Sequence, residues 1–363
     1  MIIYCFILIP ICFSLVIVRE AKLSHQKWIA YLCVLPLTIF AGVRGYVGID
    51  TYAYHAIFVD TFSESLIETF SKFEPLFVLL MRVVGLFTDN PCIFIGVISV
   101  LQGVILIKLL KDSDRPAEFL LIYVTVFYLN FEFNMLRAGT AILIMLLAYK
   151  NFRSGDSRKL FLYGLMAGLM HYSVLLVVWP MLIMRAKGAG AWLRIVTVGM
   201  FVVSICGIYF FVMNNEFFRE KMLLYIALVS AGDQFSSLVG VALRLVLYFL
   251  LYLSVVDKGN WRSMTMLFVV WMTLRLATIQ FMFIDRVEVI VNALILFSII
   301  SLNLGGWRVR LRGVALVCIA ILSLYSNLKG LSTSEDFNFR VQTGLNNSQI
   351  MSPYLPYHFF WEE

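Results

Sequence analysis

The stretch GVRGYVGIDTYAYHAIF, Gly42–Phe58, follows an unbroken apolar run, yet it holds an arginine, an aspartate, a histidine, three tyrosines and three glycines. A soluble helix would not alternate so abruptly between a long apolar run and a turn-rich polar one. The transition reads as the place where a chain leaves a membrane and enters water.

The rest of the sequence repeats that alternation. Of 363 residues, 61% are hydrophobic and 14% are charged, where a soluble domain carries about a quarter charged residues. The expected fold is an all-α polytopic membrane protein. We read about twelve transmembrane helices, at 2–18, 28–43, 92–110, 118–131, 138–150, 160–170, 173–184, 192–213, 238–256, 263–283, 287–304 and 313–328. Residues 1–328 form the membrane domain, with outer loops at 44–75 and 214–237, and 329–363 form an outer-face tail. A cleaved leader is not expected, because Ile2–Val18 has no basic residue before it and no small-residue cleavage site after it.

The formal charge of +7 is explained by where the basic residues fall, without nucleic acid. They collect in alternate loops: Arg19, Lys22 and Lys27; Lys108, Lys111 and Arg115; Lys150, Arg153, Arg158 and Lys159; Arg185, Lys187 and Arg194; Lys258 and Arg262; Arg308, Arg310 and Arg312. Such loops stay cytoplasmic, so both termini and the opening stretch face outward. One run, EPLFVLLMRVVGLFTDNP at Glu74–Pro91, would invert this order if it crossed. It is short and carries Arg82, so a re-entrant or interfacial helix near 74–88 is expected. Such backbone needs protein or a wet cavity beside it.

The six cysteines show no C-x-x-C spacing, and the four histidines show no ligand spacing. A disulfide framework, a zinc site and a metal or other cofactor are therefore not expected. What remains is a set of ionisable residues at the outer ends of the spans. Arg44, Arg137 and Arg286 collect at a face that should be poor in positive charge, and Arg275 lies mid-span. A fixed anionic ligand explains them, since guanidinium forks fit phosphate. Snorkelling anchors, and for Arg275 a pair with a neighbouring carboxylate, are the competing readings. His171 sits in the bend GLMHYSVLL, where an imidazole suits proton transfer or packs in the core. Asp50 and Glu74 are candidate acids or bases, or a loop acid and a helix cap. Tyr52 and Tyr54 are candidate sugar-stacking residues, or members of an interfacial belt.

Taken in order, GVRGYVGIDTYAYHAIF, FEPLF, FNMLRAGTAI, MAGLMHYSVLL and FIDRVEVIVNA resemble the EpsG / Wzy-type polysaccharide polymerases, over Arg44 to about Asn292. Ile49, Ala138 and Met170 depart from the family pattern. The resemblance implies a metal-independent glycosyltransferase of the bacterial inner membrane with a periplasmic cavity. Its partners would be undecaprenyl diphosphate-linked oligosaccharides and membrane lipids, with room for a chain-length regulator. In that frame His171 is the base, Asp50 and Glu74 orient the acceptor or substitute as base, and Arg137, Arg286, Arg44 and Arg275 hold the diphosphate. An O-antigen ligase and a lipid-linked glycan flippase or transporter are the alternatives.

Overall fold

The computed structural model describes residues 2–48, 50–185, 234–256, 261–277, 285–302 and 304–333, and residues 357, 359 and 361. The described chain is all-α, and among these residues extended pairing is limited to the isolated antiparallel bridge Arg44–Phe359. The helices are α1 (Ile2–Val18), α2 (Leu23–Gly42), α3 (Thr51–Ser63), α4 (Leu66–Lys72), α5 (Pro75–Gly85), α6 (Pro91–Lys111), α7 (Pro116–Ile122), α8 (Leu136–Ser154), α9 (Ser157–Met170) and α10 (Leu175–Arg185). Later come α11 (Gln234–Val255), α12 (Trp261–Ala277), α13 (Asp285–Ile300) and α14 (Trp307–Thr333). Among the described residues two helices, Pro91–Lys111 and Trp307–Leu328, are long and apolar enough to cross a membrane by themselves, and several shorter apolar helices accompany them. The expected span 192–213 and outer loop 214–237 lie outside the described residues, apart from the first turn of α11.

The chain divides into two compact units. The first comprises Met1–Ile144, Leu169–His171 and Val317–Glu363, and the second Met145–Gly168 and Tyr172–Leu316. The first unit is built on α2 against α6. Three glycines let these helices close up. A Cβ on Gly96 would lie 3.2 Å from the Gly42 carbonyl oxygen, and one on Gly103 would lie 2.4 Å from Thr38 Oγ1. Close backbone approach through small residues is how apolar helices associate where lipid tails are as apolar as leucine.

Residues 44–75, expected as an outer loop, hold two further helices. Ser65 and Glu68 form a reciprocal capping box that starts α4, with Ser65 N donating to Glu68 Oε2 at 2.8 Å. Pro75 starts α5 at a position where the missing N–H costs nothing. With 11 residues, α5 rises only ~16 Å, about half a ~30 Å hydrocarbon core. Arg82 ties it back, donating to the Glu64 carbonyl at 2.7 Å.

Within and just after the expected span 118–131 runs a π-helical passage at Tyr123–Phe127 and Leu129–Asn134. π-Turns interrupt α-helices at functional sites. This one is buried, aromatic and held in place: Gln102 Nε2 donates to the Phe131 carbonyl (3.3 Å), the Leu136 carbonyl (3.3 Å) and Thr140 Oγ1 (3.0 Å). The turn folds back tightly onto α8. A Cβ on Gly139 would come within 2.8 Å of the Phe131 Cα.

In the second unit α11 packs on α12 and α12 on α13. Tyr248 and Trp271 stack with ring centroids 3.9 Å apart. Helix α14 runs to Thr333, past residue 329, where the tail was expected to begin.

Candidate functional site

The opening stretch is a packed corner. Gly48 has φ +110°, and a Cβ there would lie 2.3 Å from the Phe133 carbonyl oxygen. Only glycine accepts both the backbone conformation and the approach. Thr51 Oγ1 donates to the Val47 carbonyl at 2.6 Å. The Arg44 guanidinium lies 4.7 Å from the centre of the Phe133 ring. The corner therefore clamps the end of the π-helical passage, just before α8 begins and four residues before Arg137.

Three residues far apart in the chain meet on the same unit. Glu74 is only 5% exposed. It stands at the N-cap position of α5 yet makes no side-chain bond to that helix, so simple capping does not explain it. Its Oε2 instead accepts from Arg137 NH1 at 2.6 Å, and its Oε1 lies 2.6 Å from His171 Nδ1. Burial pushes the Glu74 carboxyl up, but Arg137 and His171 outweigh it and hold it well below the usual carboxylate range. Glu74 is thus a fixed anion and a poor base. Its effect on His171 is orientation: with Nδ1 bound to the carboxylate, Nε2 is the nitrogen that accepts a proton.

Arg137 is positioned from several sides. Its guanidinium lies 5.4 Å from the rings of both Phe73 and Phe77, and it hydrogen-bonds the Tyr54 side chain. Its Nε has no hydrogen-bond partner. The side chain is 16% exposed and that of His171 14%, so the pair sits below the surface but not sealed from it. His171 has that place because α9 ends at Met170 and a single 3₁₀ turn, Tyr172–Val174, follows before α10.

The other sequence candidates fall elsewhere. Tyr54 is 4% exposed, packs against the Phe77 ring at 6.1 Å and supports Arg137, where an open sugar platform was expected. The Tyr52 ring lies 5.9 Å from that of Tyr46. Asp50 precedes the first turn of α3, makes no side-chain cap, and its carbonyl accepts from Tyr54 N at 3.0 Å. Arg44 is fully buried, donating from NH1 to the Ala41 carbonyl at 2.6 Å. Arg275 belongs to the second unit, 3.8 Å from Glu288, whose other oxygen accepts from Trp271 Nε1 at 2.8 Å. That is the carboxylate pair which competed with a ligand role. The Arg286 side chain lies outside the described residues.

One buried polar group, Glu132, was missed, and another, His55, stood in the quoted stretch with no role assigned. Glu132 is 2% exposed and accepts from the Tyr123 hydroxyl at 3.0 Å. A carboxylate inside the apolar, aromatic run LNFEFNML was the signal. His55 is 3% exposed and lies 3.8 Å from Cys92 Sγ.

Apolar helices that enclose a glutamate in contact with both an arginine and a histidine define a helical membrane protein with a built polar site. The chain belongs to the EpsG family, whose model matches residues 27–343. Membership gives it a role in membrane polysaccharide biosynthesis of a polymerase-like, glycosyltransferase-like kind. Comparisons with curated proteins and with solved structures found no match.

Proposed function

We propose that this protein is a polysaccharide polymerase of the bacterial inner membrane. It transfers a growing glycan from undecaprenyl diphosphate to the sugar of an undecaprenyl diphosphate-linked repeat unit at the periplasmic face. About twelve helices cross the bilayer in this reading, and α5 is re-entrant. The observation that carries it is the pair of 2.6 Å contacts from Glu74 to Arg137 and to His171, in a chain of this family.

His171 Nε2 accepts the proton of the acceptor hydroxyl as its oxygen attacks the anomeric carbon of the donor glycan. The bond from that carbon to the diphosphate oxygen breaks, and the diphosphate leaves with the electron pair. Glu74 stabilises the imidazolium that forms. Arg137, with Nε unpartnered, presents positive charge to the leaving diphosphate. Asp50 orients the acceptor, Tyr52 offers it an aromatic face, and Arg44 supplies further buried positive charge. Arg275 and Arg286 remain diphosphate candidates from the sequence alone.

The test is surface glycan from cells carrying His171→Ala at normal protein level. Single repeat units without polymer support the proposal, and normal polymer lengths overturn the base role. In a deletion strain, unattached full-length polymer would instead indicate a ligase, and complete loss of surface repeats a flippase.

A further inference from the structure

Helix α6 is apolar along most of its 21 residues, yet Gln102 stands near its middle and is fully buried. An amide at that depth needs partners for its N–H groups. Gln102 finds three. Its Nε2 lies 3.3 Å from the Phe131 carbonyl oxygen, 3.3 Å from the Leu136 carbonyl oxygen and 3.0 Å from Thr140 Oγ1. Two of these are carbonyls, and Thr140 gives its own proton to the Leu136 carbonyl at 2.7 Å. All three therefore accept, which fixes the amide with its nitrogen toward them.

The acceptors lie on both sides of a break. Phe131 belongs to the second π-helical turn, which ends at Met135 with φ −100° and ψ 55°. Leu136 is the first residue of α8, and Thr140 stands one turn further along it. One side chain thus joins the end of the π-helical passage to the start of α8, and the residue after Leu136 is Arg137. The amide reaches from a firm support. Its neighbour Gly103 lets α6 press on α2 at Thr38.

Arg137 leaves little room for a change in the direction of α8. It meets Glu74 at 2.6 Å while its guanidinium lies 5.4 Å from two rings. Side-chain amides in membrane bundles commonly fasten one helix to another. This one holds the backbone beside a site residue instead of a helix face. We infer that Gln102 is a positioning residue: it sets the angle at which α8 leaves the π-helical passage and so brings the Arg137 guanidinium to Glu74. This rests on the site proposed above and extends it to a residue that itself bonds none of Glu74, Arg137 and His171.

The experiment is a double-mutant cycle on the full chain in phospholipid nanodiscs. Gln102→Met keeps the length of the side chain and loses its donors. Changes at sites with no shared partner add, and changes at linked sites do not. Glu74→Gln should therefore lower Tm in the Gln102→Met chain by less than about half of what it does in the unaltered chain. Equal shifts overturn the inference, because a mere fastener would leave the Glu74–Arg137 contact intact. Turnover gives a second reading. A site group displaced by ~1 Å can cost ~10²-fold, so Gln102→Met should cost roughly tenfold or more where Arg137 is present. In the Arg137→Lys chain, whose ammonium has no planar fork to orient, it should cost less than about threefold. The same loss in both backgrounds also overturns the inference. If Gln102→Met does not fold, Thr140→Val removes one acceptor alone, and its shifts should be smaller but coupled in the same way; additive shifts there count against Gln102 equally. Coupled Tm shifts in a chain that makes no polymer would keep the role of Gln102 and end the polymerase reading. Polymerisation that depends on His171, with additive Tm shifts, would do the reverse.

Discussion

Two places in this protein set an arginine against a buried glutamate, and they are built differently. In the first unit Glu74 is gripped on both oxygens at 2.6 Å, by Arg137 and by His171. In the second unit Glu288 takes an indole N–H at 2.8 Å and stands 3.8 Å from Arg275. The first set includes a group that can move a proton near neutral pH. The second joins a tryptophan that stacks on Tyr248, and Tyr248 in turn donates to Asn292. The same charge pair therefore joins a histidine in one place and a stacked tryptophan in the other. A guanidinium beside a carboxylate does not mark a site; what its partner can donate or accept does.

The sharpest way to break this contrast is His171→Ala. Removing a general base costs typically ~10²–10⁴-fold, so in vitro polymerisation from lipid-linked repeats should fall by that much with the fold intact. Next is Glu74→Gln. The amide can still meet His171 but no longer stabilises an imidazolium, and the carboxylate that fixes a catalytic imidazole is worth up to ~10⁴ in serine proteases; we expect a loss of roughly 10²-fold or more. This variant also has a pH signature. The folded-state pKa of Glu74 is depressed below its ordinary value of 4.5. Its contribution to stability is therefore fully present above 4.5 and is lost as pH falls toward the folded value. The Tm gap between unaltered protein and Glu74→Gln should shrink as pH falls below 4.5. A gap that widens below pH 4.5 would contradict the ion pair.

Arg137→Lys keeps the charge and loses the planar fork. The guanidinium holds Glu74 while it lies over two rings and touches Tyr54, and an ammonium cannot meet all of these. A drop on the order of tenfold in turnover, measured per folded molecule, is expected. Undiminished turnover would mean that position 137 supplies charge alone.

The scaffold was more legible than the site. Ile2–Val18 and Pro91–Lys111 follow apolar runs within a residue or so of the sequence reading, because burial in lipid leaves an uninterrupted compositional mark. Helices α3 and α4 were read as loop, since their mixed polar and aromatic composition carries neither an apolar run nor a clean period. The π-helical passage at 123–134 was read as most of one ordinary span, 118–131, and the start of the break after it. Its geometry depends on Gly48 and Gly139 pressing on Phe133 and Phe131, a tertiary cause that no local pattern records. The candidate residues Glu74, Arg137 and His171 stood out by depth and position. Their contact did not, because Glu74 and His171 are 97 residues apart and only the folded corner at Gly42–Phe58 brings the intervening elements into register.

The smallest expected effect is also the one on which the comparison turns. Glu288→Gln leaves an amide oxygen to accept from Trp271 Nε1, so the indole is not stranded. The arginine at 3.8 Å loses a loose ion pair. Hydrogen bonds within membrane bundles average only ~0.6 kcal/mol by double-mutant cycle, and a pair at this distance should be worth about as much. Turnover per folded molecule should then stay within about threefold of the unaltered protein, with a small fall in Tm, since ~0.6 kcal/mol is less than half of the 1.4 kcal/mol that makes a tenfold change in rate. If Glu288→Gln instead lost activity on the scale of Glu74→Gln without losing stability, the second cluster would be handling substrate. Arg275 would then return to the set of diphosphate-binding arginines, and the division of labour between the two glutamates would have to be abandoned.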